Sequence, residues 1–578
     1  MGRPALLGVL ALLVAAGPAR AQDASPAGAP NAIVAENAKQ GTTRWDIDPQ
    51  PAAAIEGYAS EVSAAPGASF HLHVRAPAGD RYRVLVYRLG WYGGDGGRLV
   101  RCIPGCDSDE PAVAQPGAPA PDPATGIVAA GWRTTDVLRV GGDWVSGYYL
   151  AQLRVTAGPD EGALGRVPLV VRAAPGDHAA VLVQVPVNTW QAYNGWGGKS
   201  LYADNSTRGI PAVKVSFDRP YEPFVPVRVP FMLELPAMRF LERAGYDVSY
   251  ATDVDVDRTP DLLLRHRLVV SIGHDEYWSR LMRRAWDRAL HRSTNLAVLG
   301  ANAGYWQARY EDAHRTLVEY RSAVADPVKN TALRTVQFRA LRPHRPECRL
   351  FGVMYQYYAQ VGYGADPAGY NVAAPDGDPW LRGTGLATGD RVPGVLGYEW
   401  DSLDTGCFPG RVTTLLRGIR RGVDGLLHHA QAVRAVARSG SRVFATGSLE
   451  FAWALDGYGG HTPNAGVQRL MRNALADLTS PPPPRSAGVS AGPRGLVTVR
   501  APRLAPDPRL RRLLVYRHAG GLRFNPLAAG AVLVCQTTSD TCRERAPPGT
   551  YRYAALNTDR WGRSAAVYSR AVTIRAGP

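Results

Sequence analysis

A chain of 578 residues, 45% apolar and 20% charged, is too long for one hydrophobic core and too apolar for wholesale disorder. Its formal charge of +16 raises the question of nucleic acid, yet only four of the 66 basic residues are lysines, and arginine is spread through every region. That pattern reflects a GC-rich coding bias. No basic run, zinc-finger spacing or RNP-like aromatic motif supports nucleic-acid binding.

In chain order, Met1-Gly2-Arg3, an apolar stretch from Ala5 to Gly17 and Ala19-Arg20-Ala21 read as a signal peptide over 1–21. An exported protein, periplasmic or secreted, is therefore expected. The apolar stretch is too short to span a bilayer and no later run is long enough, so no integral membrane segment is expected after its removal. Residues 22–48 read as linker. Over 49–173, apolar residues alternate in 70–74, 82–87, 148–155 and 167–171 between turn-rich segments, which predicts an immunoglobulin-like β-sandwich.

The pattern changes over 174–480. Segments 179–187, 246–252, 268–272 and 295–299 are nearly continuous apolar strands, separated by helical spacing at 238–244 and 279–291. Segments 443–446 and 467–478 close the region. Buried strands alternating with helices predict an α/β fold with a parallel sheet covered on both faces. Residues 481–486, opening on four prolines, predict a stiff linker. Short strands over 487–578 predict a second sandwich, resembling a fibronectin type III module. Six cysteines in an export context favour disulfides. Cys102 and Cys106 are close in sequence, as are Cys535 and Cys542, which leaves Cys348 for Cys407.

Ligands of an open parallel sheet bind beyond the carboxyl ends of its strands. Those ends are polar here: Asn188 to Tyr202, Gly273-His274-Asp275-Glu276, and Gly300-Ala-Asn302-Ala-Gly304. His274 and Glu276 alternate on a strand-to-helix turn, so an imidazole and a carboxylate could act together as base and metal ligand. The alternative is that Asp275 or Glu276 caps the next helix. Asparagine at the centre of a glycine-flanked elbow excludes serine- or cysteine-based acyl transfer there. Asn302 either orients a carbonyl or stabilises an oxyanion, or it is a structural amide in a tight turn.

Five separated motifs resemble the family of the C-terminal domain of the N,N-dimethylformamidase large (beta) subunit: Trp190-Gln-Ala-Tyr-Asn-Gly-Trp-Gly-Gly-Lys-Ser-Leu-Tyr202, Ser216-Phe-Asp-Arg-Pro-Tyr221, Ser271-Ile-Gly-His-Asp-Glu-Tyr-Trp278, Gly300-Ala-Asn-Ala-Gly-Tyr-Trp306 and Gly397-Tyr-Glu-Trp-Asp401. The likeness covers residues 174–480, with Arg88-Leu-Gly-Trp-Tyr-Gly-Gly94 as a further echo. The resemblance implies a core similar to class I glutamine amidotransferases without their cysteine. It also implies a mononuclear ferric iron held by two tyrosines and a glutamate, hydrolysing a small-molecule amide. Glu276 matches the glutamate and Tyr193 the first tyrosine. Tyr221 follows best in order for the second, with Tyr202 and Tyr250 as rivals. His274, Asn302 and Glu399 match the catalytic neighbours. The family works with a small partner subunit, which this chain does not supply, and homo-oligomerisation is left open. A second class of function fits export and flanking sandwiches: a non-catalytic envelope binding or scaffold protein.

Overall fold

The computed structural model describes residues 31–47, 54–222, 229–360, 362–364, 368–504 and 507–575. The expected signal peptide lies outside these residues, as does the first part of the expected linker. Among the described residues, no helix is long and apolar enough to cross a membrane.

The centre is a nine-stranded sheet built from β1 (Val181–Val185), β2 (Val248–Thr252), β3 (Leu268–His274), β4 (Asn295–Ala301), β5 (Ala368–Val372), β6 (Arg391–Leu396), β7 (Gly410–Arg421), β8 (Leu427–Ala437) and β9 (Arg442–Ala445). Their order is β2-β1-β3-β4-β9-β8-β7-β5-β6. The first five are parallel and the last four join antiparallel. Val181, Val183 and Val185 share a core with helices Val229–Arg243 and Ala465–Thr479. Leu182 points the other way, into a core with helix Arg280–His291. That alternation follows from the two-residue period of a strand.

The expected α/β class, with its amidotransferase-like parallel core, is corrected by this architecture. Strand outweighs helix, 36% against 19%, and mixed sheets are frequent. After β4 the chain stops alternating strand with helix. The run 353–437 instead returns as hairpins, which need no crossover helix and so add strands antiparallel to the central sheet.

Before this region, two sheets of short strands over 56–171 pack around Phe70, Leu72, Tyr82, Val84 and Leu153. After it, sheets over 488–574 pack around Val497, Val515 and Tyr553. Both outer units are docked through buried charge. Arg88, fully buried, donates to both oxygens of Glu242 at 2.8 and 3.0 Å. Arg267, equally buried, pairs with Asp507 at 2.8 Å and with Asp559. Residues 31–47, read as linker, instead form helix Ala32–Asn37 and bury Ile33 and Trp45. Three of the four prolines 481–484 are buried as well, and Asn557 donates to the Pro482 carbonyl at 2.9 Å. The three disulfides pair Cys102–Cys106, Cys348–Cys407 and Cys535–Cys542, as expected.

Candidate active site

The carboxyl end of β3 delivers His274 and, two residues on, Glu276 to the floor of a cavity of about 560 Å³. The helix that follows is capped by Ser279, whose hydroxyl accepts from the Met282 amide at 3.1 Å. Neither Asp275 nor Glu276 serves as that cap. Asp275 points beneath the cavity, accepting from Gln184, Ser271 and Trp278 at 2.9, 2.9 and 2.7 Å. Burial pushes its carboxyl up to about 7.

Glu276 faces the cavity with both oxygens engaged. One accepts from the Trp306 indole at 3.0 Å. The other accepts from the hydroxyls of Tyr193 at 3.1 Å and Tyr202 at 2.8 Å. The two phenol rings stack at 4.1 Å. Tyr202 also meets the Tyr277 hydroxyl at 2.6 Å, and the Arg321 guanidinium lies 4.2 Å from the Tyr202 ring centre. Burial, then the charge of Glu276, pushes both Tyr193 and Tyr202 well above the ordinary phenol range.

Tyr221 does not join this group. Its ring meets Trp190 edge-on at 6.5 Å, away from Glu276. Tyr250 is also elsewhere, donating to Glu242 at 3.0 Å. Of the three tyrosines weighed for the second ligand position, Tyr202 is the one beside Glu276. Its approach comes from a tight reversal within one motif. Gly197 and Gly198 adopt positive φ of 75° and 79°, and the Leu201 amide returns to the Ala192 carbonyl at 2.9 Å.

Beyond Glu276 stand the other residues expected at the site. His274 Nε2 lies 3.5 Å from Glu276 and 3.4 Å from Glu399. Asn302 donates its amide to Glu399 at 2.8 Å, and its Nδ2 lies 3.3 Å from His274 Nε2. Burial and the charge of Glu276 raise the Glu399 carboxyl, against the lowering pull of His274 and Asn302.

The elbow that presents Asn302 is sterically determined. At Gly300 a Cβ would sit 1.9 Å from the Gly273 carbonyl oxygen, so no side chain fits where β3 and β4 touch. Asn302 itself has φ +54°, a left-handed conformation that asparagine tolerates better than most residues. Its backbone amide is held by Asp401 at 2.9 Å. Its side-chain oxygen is buried without a partner.

Sequence reasoning gave no role to Trp306, Arg321 or the tyrosines 305, 355, 358, 363 and 398, all of which line the cavity. Trp306 and Tyr305 stand inside one of the five motifs. Tyr398 stands inside another, and the rest belong to segments without a recognisable pattern. A second cluster of metal-capable side chains, Cys348, Asp404 and Cys407, is closed by the disulfide between its thiols.

A family model described as "N,N-dimethylformamidase beta subunit-like, C-terminal" matches residues 83–465, reaching further into the first sandwich than the five motifs do. No curated protein matches the chain. Among solved structures, an mmIFT52 N-terminal domain is similar at a TM-score of 0.24 and 12% identity, covering 40% of this chain and 86% of that one. The chicken CNTN1 FN1-FN3 domains give a TM-score of 0.14 at 7% identity, covering 90% of this chain and 100% of that one. Titin kinase and its flanking domains give 0.14 at 20% identity, and the match spans 17% of each chain. Structural likeness at these levels carries no inference.

Proposed function

The chain belongs to the N,N-dimethylformamidase beta subunit-like, C-terminal family, and from that premise we propose that it is an exported, metal-dependent amidohydrolase cleaving the C–N bond of a carboxamide in the Glu276 cavity. The observation that carries this reading is the meeting of the Tyr193 and Tyr202 hydroxyls on one oxygen of Glu276. Two phenols and a carboxylate are hard oxygen donors, a set suited to ferric iron. Burial keeps both phenols protonated unless a cation compensates their charge, so the donor chemistry fits a metal. Tyr193, Tyr202 and Glu276 would hold it, with Tyr202 in the place that chain order assigns to Tyr221. When bound, iron supplies Lewis acidity toward a carbonyl oxygen and water.

The remaining work falls to the protein's own groups. Trp306 and Thr189 fix Glu276, the latter by accepting from its backbone amide at 3.0 Å. Asn302, anchored by Asp401 and Glu399, positions the amide. Glu399, whose raised affinity for a proton comes from burial, delivers that proton to the leaving nitrogen, and His274 between the two glutamates moves protons across the site. Water and amide are consumed; a carboxylic acid and an amine leave. Three disulfides fit export. The family's description as a beta subunit is the ground for a small partner subunit.

Metal analysis and a visible spectrum of protein purified without added metal test the reading. Stoichiometric iron with a tyrosinate charge-transfer band is expected. A colourless protein that takes up no iron, and in which Glu276→Ala alters nothing measurable, overturns it in favour of the envelope-scaffold alternative.

A further inference from the structure

The cavity's volume of about 560 Å³ falls in the range that encloses drug-sized ligands, about 300–1,000 Å³. A one-carbon acyl group with two methyls on nitrogen would leave most of it unfilled. Its lining also has two parts. Tyr193, Tyr202 and Trp306 surround Glu276. A second part of the lining, by Glu399, is made by Tyr355, Tyr358, Tyr363 and Tyr398.

In that second wall Tyr358, Tyr398 and Tyr363 form one aromatic run, and Tyr355 packs instead on Tyr305. The wall comes from the paired strands Val353–Tyr358 and Glu399–Leu403 with adjoining residues. Tyr363 and Tyr398 lie 4.8 Å apart, and Tyr358 and Tyr398 5.9 Å. Tyr355 meets Tyr305 edge-on at 5.2 Å. At the rim Tyr358 is 36% exposed, and its carbonyl accepts from Val423 at 3.1 Å. Val423 belongs to the β7–β8 hairpin tip, which exposes Ile419, Leu426 and Leu427. The rim of the tyrosine wall therefore adjoins a hairpin tip that exposes apolar side chains.

Resting on the amidohydrolase reading, we propose that the tyrosine chamber beside Glu399 receives the nitrogen substituent of the substrate, and that this substituent is a bulky aryl group. The substrate class is an N-aryl carboxamide. A nitrogen placed to take the Glu399 proton brings whatever it carries against Tyr355, Tyr363 and Tyr398, whose faces and edges favour another ring. In the reaction the oxygen of water joins the carbonyl carbon and the C–N bond breaks. The nitrogen keeps the bonding pair and takes the proton, so that a carboxylic acid and an arylamine leave.

The test compares formanilide with N,N-dimethylformamide on the full mature protein, with equilibrium dialysis of labelled acetanilide as a readout independent of turnover. The expected kcat/KM for formanilide is larger by about tenfold or more. Tyr398→Ala and Tyr358→Ala should each collapse that ratio and weaken acetanilide binding. Tyr357→Ala, whose ring stacks on His428 at 4.3 Å rather than lining the chamber, should preserve both. Equal turnover of the two amides, with a ratio that the tyrosine variants do not change, overturns the N-aryl assignment and leaves the hydrolase reading standing. Acetanilide binding that depends on Tyr398, without turnover of any amide, supports the aryl chamber and overturns the hydrolase reading. Neither binding nor turnover overturns both.

Discussion

The two halves of the central sheet divide the labour of the cavity. The parallel half, β2-β1-β3-β4-β9, ends in His274 and the turns carrying Glu276 and Asn302, the groups proposed for metal binding and proton transfer. The antiparallel half brings no such group. The hairpin of β7 and β8 lies instead beside the paired strands 353–358 and 399–403, which supply the tyrosine wall and Glu399. Parallel strands all point their carboxyl ends to one side, so polar termini gather there. Antiparallel hairpins return their strands and present side chains from strand faces, which suits a wall better than a cluster of ligands. One fold thus keeps the proposed metal-binding groups apart from the tyrosine wall, while the proton donor Glu399 stands on the wall's own strands.

The largest expected effect breaks that division at its chemical side. Glu276→Ala and Tyr202→Phe should each lose stoichiometric iron and the associated visible band, while Tyr221→Phe should keep both. Metal analysis of the three purified variants decides between Tyr202 and Tyr221. Loss of iron in Tyr221→Phe with retention in Tyr202→Phe would mean that the arrangement around Glu276 is not the one that holds metal. Next in size, His274→Ala should retain iron while kcat falls by about 10² to 10⁴-fold, the usual contribution of a positioned acid or base. Loss of iron together with activity would assign His274 to the metal shell.

The halves also differed in how far the sequence disclosed them. β1, β3 and β4 are buried at every residue, and strands covered on both faces read as continuous apolar runs. β7 is mostly exposed or half-buried and carries Arg411, Arg417, Arg420 and Arg421, so no apolar run marks it. The whole antiparallel half, and with it the mixed character of the sheet, went unread for that reason. At the site, Glu276, His274 and Asn302 were legible because each stands at or just beyond the end of a buried apolar strand, although the turn at Asn302 leads into strand Trp306–Glu311 and not into a helix. The second tyrosine was not. Chain order favours Tyr221, whereas the Gly197-Gly198 reversal folds Tyr202 back onto Tyr193. The tyrosine wall depends on pairing between 353–358 and 399–403, a contact across more than forty residues that no local pattern announces.

A third prediction sharpens the contrast between the two ends of the parallel strands. Arg267 immediately precedes β3 at the amino end, where it is buried against Asp507 and Asp559 of the last sandwich. Arg267→Ala would leave Asp559 buried without its cation, while Asp507 keeps Arg509 at 2.8 Å, and breaking a buried pair costs about 3–5 kcal/mol. Thermal unfolding should show the loss as a lowered midpoint, and proteolysis should begin to cut near the prolines 481–484, which are protected in the native protein. An unchanged midpoint would mean that the last sandwich contributes little to holding the parallel half in place.

The remaining expected effect is a pH dependence carried by the helix that backs the site. Glu234, on helix Val229–Arg243, is buried against Gly273 and accepts from Tyr148 at 2.7 Å and Trp190 at 2.9 Å. Burial pushes its carboxyl from 4.5 up to about 8, overcoming the lowering effect of those two hydrogen bonds. Its folded form therefore holds a proton that the unfolded chain releases above 4.5. Between these values the native state binds more protons than the unfolded state, so stability falls as pH rises through that window and is fully present below it. Glu234→Gln cannot ionise; its one amide oxygen can accept from Trp190 while its NH2 donates to the Tyr148 hydroxyl. Its unfolding free energy should lack the decline expected of the wild type between pH 4.5 and about 8, a difference readable from denaturant titrations at several pH values. If wild type and Glu234→Gln show the same slope across that window, the decline belongs to other groups and the backing helix is not the pH-sensitive element of the parallel half.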